Sequence, residues 1–253
     1  LLFQLIKKNI VFNFRANDIK NGGEGAPLTP IFHHLVLKQK NISSPACILN
    51  IGGISNLTIV MNENLYDMSS RDIGPGNCLI DSWLRSNSKK KFDKDGNIAS
   101  RGKTNEIILE QAQELYFNRL NKENLSLDVN DFDVSFARGL SLEDGVTTLT
   151  EFTSRIIADA LLSYIPDIQT RKWKILISGG GRKNKFLIDK IKQKTFKNIT
   201  IQSIDDYGLN GDFIESQAFA YLAIRSYIGE IISFPKTTGC SKPCLGGQVI
   251  KIT

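Results

Sequence analysis

Residues 147–165 carry Leu149, Phe152, Ile156, Ile157, Ala160 and Leu161 at spacings of one, three and four, the pattern of one helix face. Thr148, with Glu151 three positions on, reads as a capping box at the start of that helix. Residues 104–119 and 212–229 also read as helices, the second opened by Asp212, with Glu215 at its third position, and closed by Gly229. Other stretches follow a strand pattern. Ala46–Ile51, Leu57–Met61, "WKILIS" at 173–178 and "NITIQSI" at 198–204 are short, apolar and rich in β-branched residues. Gly52-Gly53 between the first two predicts a hairpin whose turn also holds Ser55 and Asn56. The opening "LLFQLIKKNIVFNF" reads as a helix end followed by a strand. A Gly- and Pro-punctuated loop then leads to an apolar segment with His33 and His34. "DSWLRS" at 81–86 is helical in pattern, 89–103 is loop-like, and 120–133 is polar and weakly patterned. Strands alternate with helices, so the expected class is α/β.

Composition narrows the field. A chain of 253 residues with 41% hydrophobic and 23% charged content can build one large or two modest cores. Its apolar runs are broken by Lys and Asn, which leaves no transmembrane helix to predict and no membrane partner. Lys7 and Lys8 interrupt the first apolar stretch and no small-residue cleavage site follows, so no signal peptide is expected. The start reads as the middle of a domain and the chain as a fragment. The net charge of +6 comes from scattered Lys and Arg, with one tight cluster at 89–91 and no aromatic-interleaved stripe, which argues against nucleic acid. Cys47, Cys78, Cys240 and Cys244 show no paired CxxC spacing and read as reduced thiols in a cytoplasmic protein. Cys240 and Cys244 have no His nearby, so no metal site is expected there.

"SSRDIGPGNCLID" at 69–81 sets Asp72 directly before Gly-Pro-Gly, with Asp81 nine positions on. A bare, stiff turn with an acid at its lip has two readings: a plain strand-to-helix connection, or a place where a ligand meets backbone and carboxylate together. Two further glycine turns follow strand-like runs, Gly52-Gly53 and Gly179-Gly180-Gly181. Glycine turns let backbone N–H groups approach an anion, so three of them beside a carboxylate favour nucleotide and phosphoryl-transfer chemistry. None matches a P-loop or a dinucleotide fingerprint. Asp81 sits just inside a helix start, where a carboxylate is favourable anyway. His33 and His34 read as packing or capping residues, and Phe219 and Tyr221 as helix-packing residues.

The stretches "FRANDIKNGGEGAPLTPIFH", "NIGGISNLT", "RDIGPGNCLID", "TTLTEFT", "SGGGRKN" and "ESQAFAYLAIR", in this order, resemble the anhydro-N-acetylmuramic acid kinase family. The resemblance implies an actin-like ATPase (ribonuclease H-like) α/β architecture. Residues 1–45 would be the remnant of a first domain, 46–210 a second actin-like domain, and 211–253 a segment returning to the first. It implies ATP-dependent phosphorylation of 1,6-anhydro-N-acetylmuramic acid with ring opening, in peptidoglycan recycling, with Mg²⁺ on the nucleotide. By this resemblance Asp72 is the catalytic base, and Gly52, Gly53 and Asn56 face the ATP phosphates. Gly179, Gly180 and Gly181 with Asn184 border the adenosine, and Glu215 holds a sugar hydroxyl. Arg15 and Asp18 lie on the substrate side. Read without the family, Glu215 is a capping-box glutamate, and Arg15 and Asp18 a structural ion pair.

Two departures from the family stand out. Members open with a Gly-Thr-Ser-x-Asp-Gly phosphate hairpin that has no counterpart here, and their Pro-Pro-Lys-Ser segment is replaced by "NRLNKENLSLDVNDF" at 118–132. The chain alone is therefore expected to be a poor kinase. A non-catalytic remnant, or one half of a split enzyme completed by a separate N-terminal chain, stands as the alternative; a homodimer is a further expected partner state.

Overall fold

The computed structural model describes residues 2–119 and 126–251. In chain order the elements begin with α1 (Leu2–Ile6), β1 (Ile10–Phe12), α2 (Ala16–Lys20) and α3 (Pro30–Gln39). The hairpin strands β2 (Ala46–Ile51) and β3 (Ile54–Val60) come next, then β4 (Ser69–Pro75), α4 (Cys78–Asn87) and α5 (Glu106–Arg119). After these come α6 (Leu142–Tyr164), β5 (Trp173–Ser178), α7 (Lys185–Lys194) and β6 (Ile199–Ser203). The last are α8 (Ile214–Ile228), α9 (Pro235–Thr238) and β7 (Gln248–Ile250). The α/β class expected from the pattern is the one observed. Among the described residues no helix is long and apolar enough to cross a membrane.

Five strands form one sheet in the order β4-β3-β2-β5-β6, and β1 pairs antiparallel with β7. Strands β2 and β5 are buried along almost their whole length, which is why each reads as a continuous apolar run rather than an alternation. β5 and β6 run parallel in the register Trp173↔Ile199 to Ile177↔Ser203.

Several boundaries differ from the sequence reading, each for a local reason. β3 begins at Ile54, so Ser55 and Asn56 are strand residues and the hairpin turn is Gly52-Gly53 alone. β4 runs to Pro75, which puts Asp72 inside a strand rather than at the lip of a turn. α6 starts five residues earlier than residue 147, at Leu142, where Ser141 Oγ accepts the Asp144 N–H at 3.1 Å. The capping box at Thr148 and Glu151 is therefore a misreading of mid-helix residues. α8 is not opened by Asp212. Phe213 stands at its N-cap without a side-chain cap, and Asp212 pairs with Arg182 and Lys183 instead. Gly229 closes α8 in the left-handed conformation, as its pattern suggested. Of the weakly patterned segment 120–133, residues 120–125 lie outside the described residues; the rest holds a short turn, Val129–Asp131.

The chain divides into two compact units. Unit 1 is Leu1–Ala46, Thr58–Arg71 and Phe213–Thr253; unit 2 is Cys47–Leu57 and Asp72–Asp212. Within unit 1, Ile31, Val36 and Leu37 of α3 are buried, Phe32 meets Tyr221 at 5.9 Å between ring centroids, and Phe14 meets Phe219 edge-on at 5.6 Å. His33 is buried with Nδ1 2.8 Å from Thr58 Oγ1, and burial lowers its pKa to about 4. It packs as a neutral ring, and Phe219 and Tyr221 of α8 pack as well.

Unit 2 is organised around α6. Trp83, Leu84, Leu109, Val146, Leu149, Phe152 and Ile156 share its core. Gly145 is there because a Cβ would lie 2.3 Å from the Trp83 ring, whose Nε1 donates to the Leu142 carbonyl at 3.1 Å. Trp173, the other tryptophan, is buried and donates to the Pro166 carbonyl. On the same helix the Glu151 carboxylate pairs with Arg155, Lys190 and Lys194, which ties α7 to α6. Burial alone would raise Glu151; hydrogen bonds from Lys194 and Lys190 outweigh it and hold the acid at about 2.

Candidate functional site

The three glycine turns meet at one piece of backbone. Gly76 N–H donates to the Gly53 carbonyl at 2.8 Å, and Asn77 donates to the Gly52 carbonyl from its backbone at 2.8 Å and its side chain at 3.0 Å. A Cβ on Gly76 would lie 2.3 Å from the Gly52 oxygen. On the other side, Gly179 takes φ +78°, and a Cβ there would lie 2.6 Å from the Ile51 oxygen. A Cβ on Gly181 would lie 2.3 Å from Ile51 Cγ2. These three glycines let backbone pack on backbone around residues 51–53.

Gly53 and Gly180 are of another kind. Both are exposed. The nearest atoms to an added Cβ would be Val129 Cγ2 at 3.5 Å for Gly53 and Asn77 Nδ2 at 3.8 Å for Gly180. Packing does not demand glycine at either position, and the backbone there is open to approach.

Asp72 sits half-buried in β4, the strand beside β3, and its Oδ2 accepts the Leu127 N–H at 2.8 Å. Ser55 Oγ donates to the Pro75 carbonyl at 3.1 Å and fastens the hairpin to the end of β4. Asn56 Oδ1, by contrast, is buried without a hydrogen-bond partner among the described residues. Asn184 is buried as the N-cap of α7, its Oδ1 accepting the Leu187 N–H at 3.0 Å. Asp81 lies in the first turn of α4, where burial lifts its pKa to about 6 against the pull of Arg85. Burial likewise pushes the Cys78 thiol up to about 11, and all four cysteines are free and buried.

One residue that the sequence reading passed over shapes the third turn. Arg182, its side chain 4% exposed, donates to the Gly179 carbonyl at 2.9 Å, to Asp205 at 2.7 Å and to Asp212 at 2.9 Å. The Arg182 hydrogen bond holds the Asp205 carboxyl down at about 2. The signal was present: a cation directly after a glycine turn, with acids on the loop that follows the next strand.

The structure thus places Asp72, Gly52, Gly53, Asn56, Gly179, Gly180, Gly181 and Asn184 in unit 2, and Arg15, Asp18 and Glu215 in unit 1. Arg15 is exposed at the N-cap position of α2. Asp18 is 1% exposed, and its oxygens accept the Gly25 N–H at 2.8 Å and the Thr238 hydroxyl at 2.6 Å. Glu215 is exposed in the first turn of α8, two positions after the N-cap, so the capping-box reading does not describe it.

A profile of the anhydro-N-acetylmuramic acid kinase family matches residues 2–251. The chain belongs to that family. A relative of that name from Pelagibacter ubique is 52% identical over 251 residues, which cover 99% of this chain and 67% of the relative. One from Zymomonas mobilis is 40% identical over 98% of this chain and 65% of its own length. The chain therefore spans about two thirds of the length of the curated relatives it matches. Among solved structures, the activator of the 2-hydroxyisocaproyl-CoA dehydratase from Clostridium difficile with bound ADPNP aligns with a TM-score of 0.46 and 11% identity, over 78% of this chain and 66% of that one.

Proposed function

We propose that the chain carries the second, nucleotide-facing domain of an actin-like kinase. The kinase phosphorylates 1,6-anhydro-N-acetylmuramic acid from ATP and opens the anhydro ring, giving N-acetylmuramic acid 6-phosphate in cytoplasmic peptidoglycan recycling. The observation that carries this reading is the convergence of three glycine turns on residues 51–53, one strand from Asp72, in a member of this family.

Each part has a role in that reaction. Gly53 offers exposed backbone to the ATP phosphates, with Gly52 and Asn56 beside it. Gly180 does the same for the nucleoside, framed by Gly179, Gly181 and Asn184. Asp72 takes a proton from water; the water oxygen bonds to the anomeric carbon, the bond to oxygen 6 breaks, and oxygen 6 takes the γ-phosphoryl group as the γ-phosphorus bond to the bridging oxygen breaks and ADP leaves. Glu215, Arg15 and Asp18 are the sugar-side candidates, with buried Asp18 acting by shaping its loop. Mg²⁺ would enter on the nucleotide phosphates and neutralise their charge, as suits an ion that keeps several waters and few carboxylates. Among the described residues no group of three His, Cys, Asp or Glu side chains is assembled to hold a metal.

Titration calorimetry with a non-hydrolysable ATP analogue tests nucleotide binding, and ADP release tests turnover. We expect residues 1–253 to bind the nucleotide, and to release ADP in a sugar-dependent way once a chain carrying a Gly-Thr-Ser-x-Asp-Gly hairpin is supplied. Failure to bind nucleotide would remove the kinase reading; nucleotide binding without sugar-dependent ADP release would remove the sugar as its substrate.

A further inference from the structure

Residues 126–133 hold a short capped turn folded beside Asp72. Asp128 and Asp131 cap the Val129–Asp131 turn reciprocally: Asp128 N–H donates to Asp131 at 2.7 Å, and Asp128 Oδ1 accepts the Asn130 N–H at 2.9 Å. Phe132 anchors the turn by stacking on Tyr116, with ring centroids 5.9 Å apart and planes 26° from parallel. Val129 faces Gly53 across the hairpin, its Cγ2 3.5 Å from the position a Gly53 Cβ would take. Leu127, one residue before the capped turn, points its N–H at Asp72 Oδ2, 2.8 Å away.

We propose that the backbone N–H of Leu127 is a positioning group for Asp72, and that the capped turn behind it sets the carboxylate against the Gly52-Gly53 hairpin. The proposal rests on the kinase reading above and adds to it what aims the base. A side-chain donor can swing away with its own rotamers; a backbone donor held by a reciprocal cap and a ring stack cannot.

The test separates the N–H from the side chain that accompanies it. Leu127→Pro deletes the donor, while Leu127→Ala keeps it and truncates the side chain. In the ADP-release assay with the completing chain, Leu127→Pro should lower kcat about tenfold to a hundredfold, the worth of a charge-assisted hydrogen bond. KM for ATP and for the sugar should stay within about twofold, since a group acting only on the reacting state leaves ground-state binding alone. Leu127→Ala, which keeps the N–H, should lose far less than Leu127→Pro. Phe132→Ala, which retains every backbone donor but unseats the turn, guards against misfolding of the proline variant and should lower kcat in the same direction. Amide exchange supplies a readout without turnover: Asp72→Ala should speed exchange at Leu127. A kcat for Leu127→Pro equal to that of Leu127→Ala, or unchanged exchange at Leu127 in Asp72→Ala, overturns the proposal. If the unaltered protein releases no ADP while its Leu127 amide is protected through Asp72, the kinase reading fails, and the positioning role falls with it.

Discussion

At the scale of single residues, identity and role separate cleanly at the glycines. Gly76, Gly179 and Gly181 answer to packing against residues 51–53, whereas Gly180 and Gly53 answer to open space. A side chain should therefore do different damage at each. Gly180→Val has room in the fold but blocks the approach, so nucleotide affinity should fall at least about tenfold with sugar affinity and melting temperature little changed. Gly181→Ala should destabilise the whole unit, because its Cβ has no space beside Ile51. Calorimetry for both ligands, with a thermal melt alongside, separates the two outcomes; equal ligand losses in Gly180→Val would mean misfolding. For Asp72 the expectation is chemical: Asp72→Asn keeps the shape and loses the base, so turnover should drop by about 10²–10⁴-fold with nucleotide binding retained. Near-normal turnover would take Asp72 out of the reaction. Asp72 and the glycines stood out as candidates because their chemistry is written in residue type. Leu127 did not, since it acts through a backbone atom that any residue possesses; Arg182 left a trace beside its glycine turn, but its partner acids lie 23 and 30 positions away.

Elements were legible where burial imposes a period, and misread where a local motif competed with it. The apolar face of α6 was clear, yet its start was misplaced because Thr148 and Glu151 imitate a cap. Glu151 is instead a tertiary residue, 6% exposed in its side chain, that collects cations from α7 as well as from its own helix. No spacing rule within one helix reveals partners some forty positions on. The consequence is measurable. Glu151→Gln would leave Arg155, Lys190 and Lys194 facing one another, and removing one member of such a buried pair costs about 3 kcal/mol. Chemical denaturation should show that loss in the midpoint, together with faster amide exchange along α7. A change below about 0.5 kcal/mol, typical of exposed pairs, would mean the network is solvated and weak.

For the whole molecule, the two units answer differently to acid. His33 in unit 1 is held neutral by burial, with a folded pKa of about 4 against 6.5 when exposed. The unfolded chain then binds more protons between those values, so the stability of unit 1 is full above about pH 6.5 and declines as pH falls toward 4, by up to about 3 kcal/mol. His33→Asn, which can still meet Thr58 but cannot titrate, should flatten that decline. Asp81 in unit 2 has the opposite sign: raised to about 6, it favours the folded state as pH drops from 6 toward 4. Glu151, held at about 2, begins to cost unit 2 only below about pH 4.5. Mild acid should therefore loosen unit 1 before unit 2. Amide exchange followed from pH 7 to 4.5 should show protection falling first in α3 and α8; a uniform decline in both units would contradict the assignment.

Trp83 and Trp173, the two tryptophans of the chain, both lie buried in unit 2, one over Gly145 and the other at the head of β5. Intrinsic emission excited at the indole band is therefore a reporter for one unit alone. An acid titration followed by fluorescence will stay blue-shifted and flat through the range in which α3 and α8 are already opening. The same sample followed by far-ultraviolet dichroism, which counts the helices of both units, will begin to change earlier. The gap between the two curves is itself a direct optical measure of how independently the two units unfold.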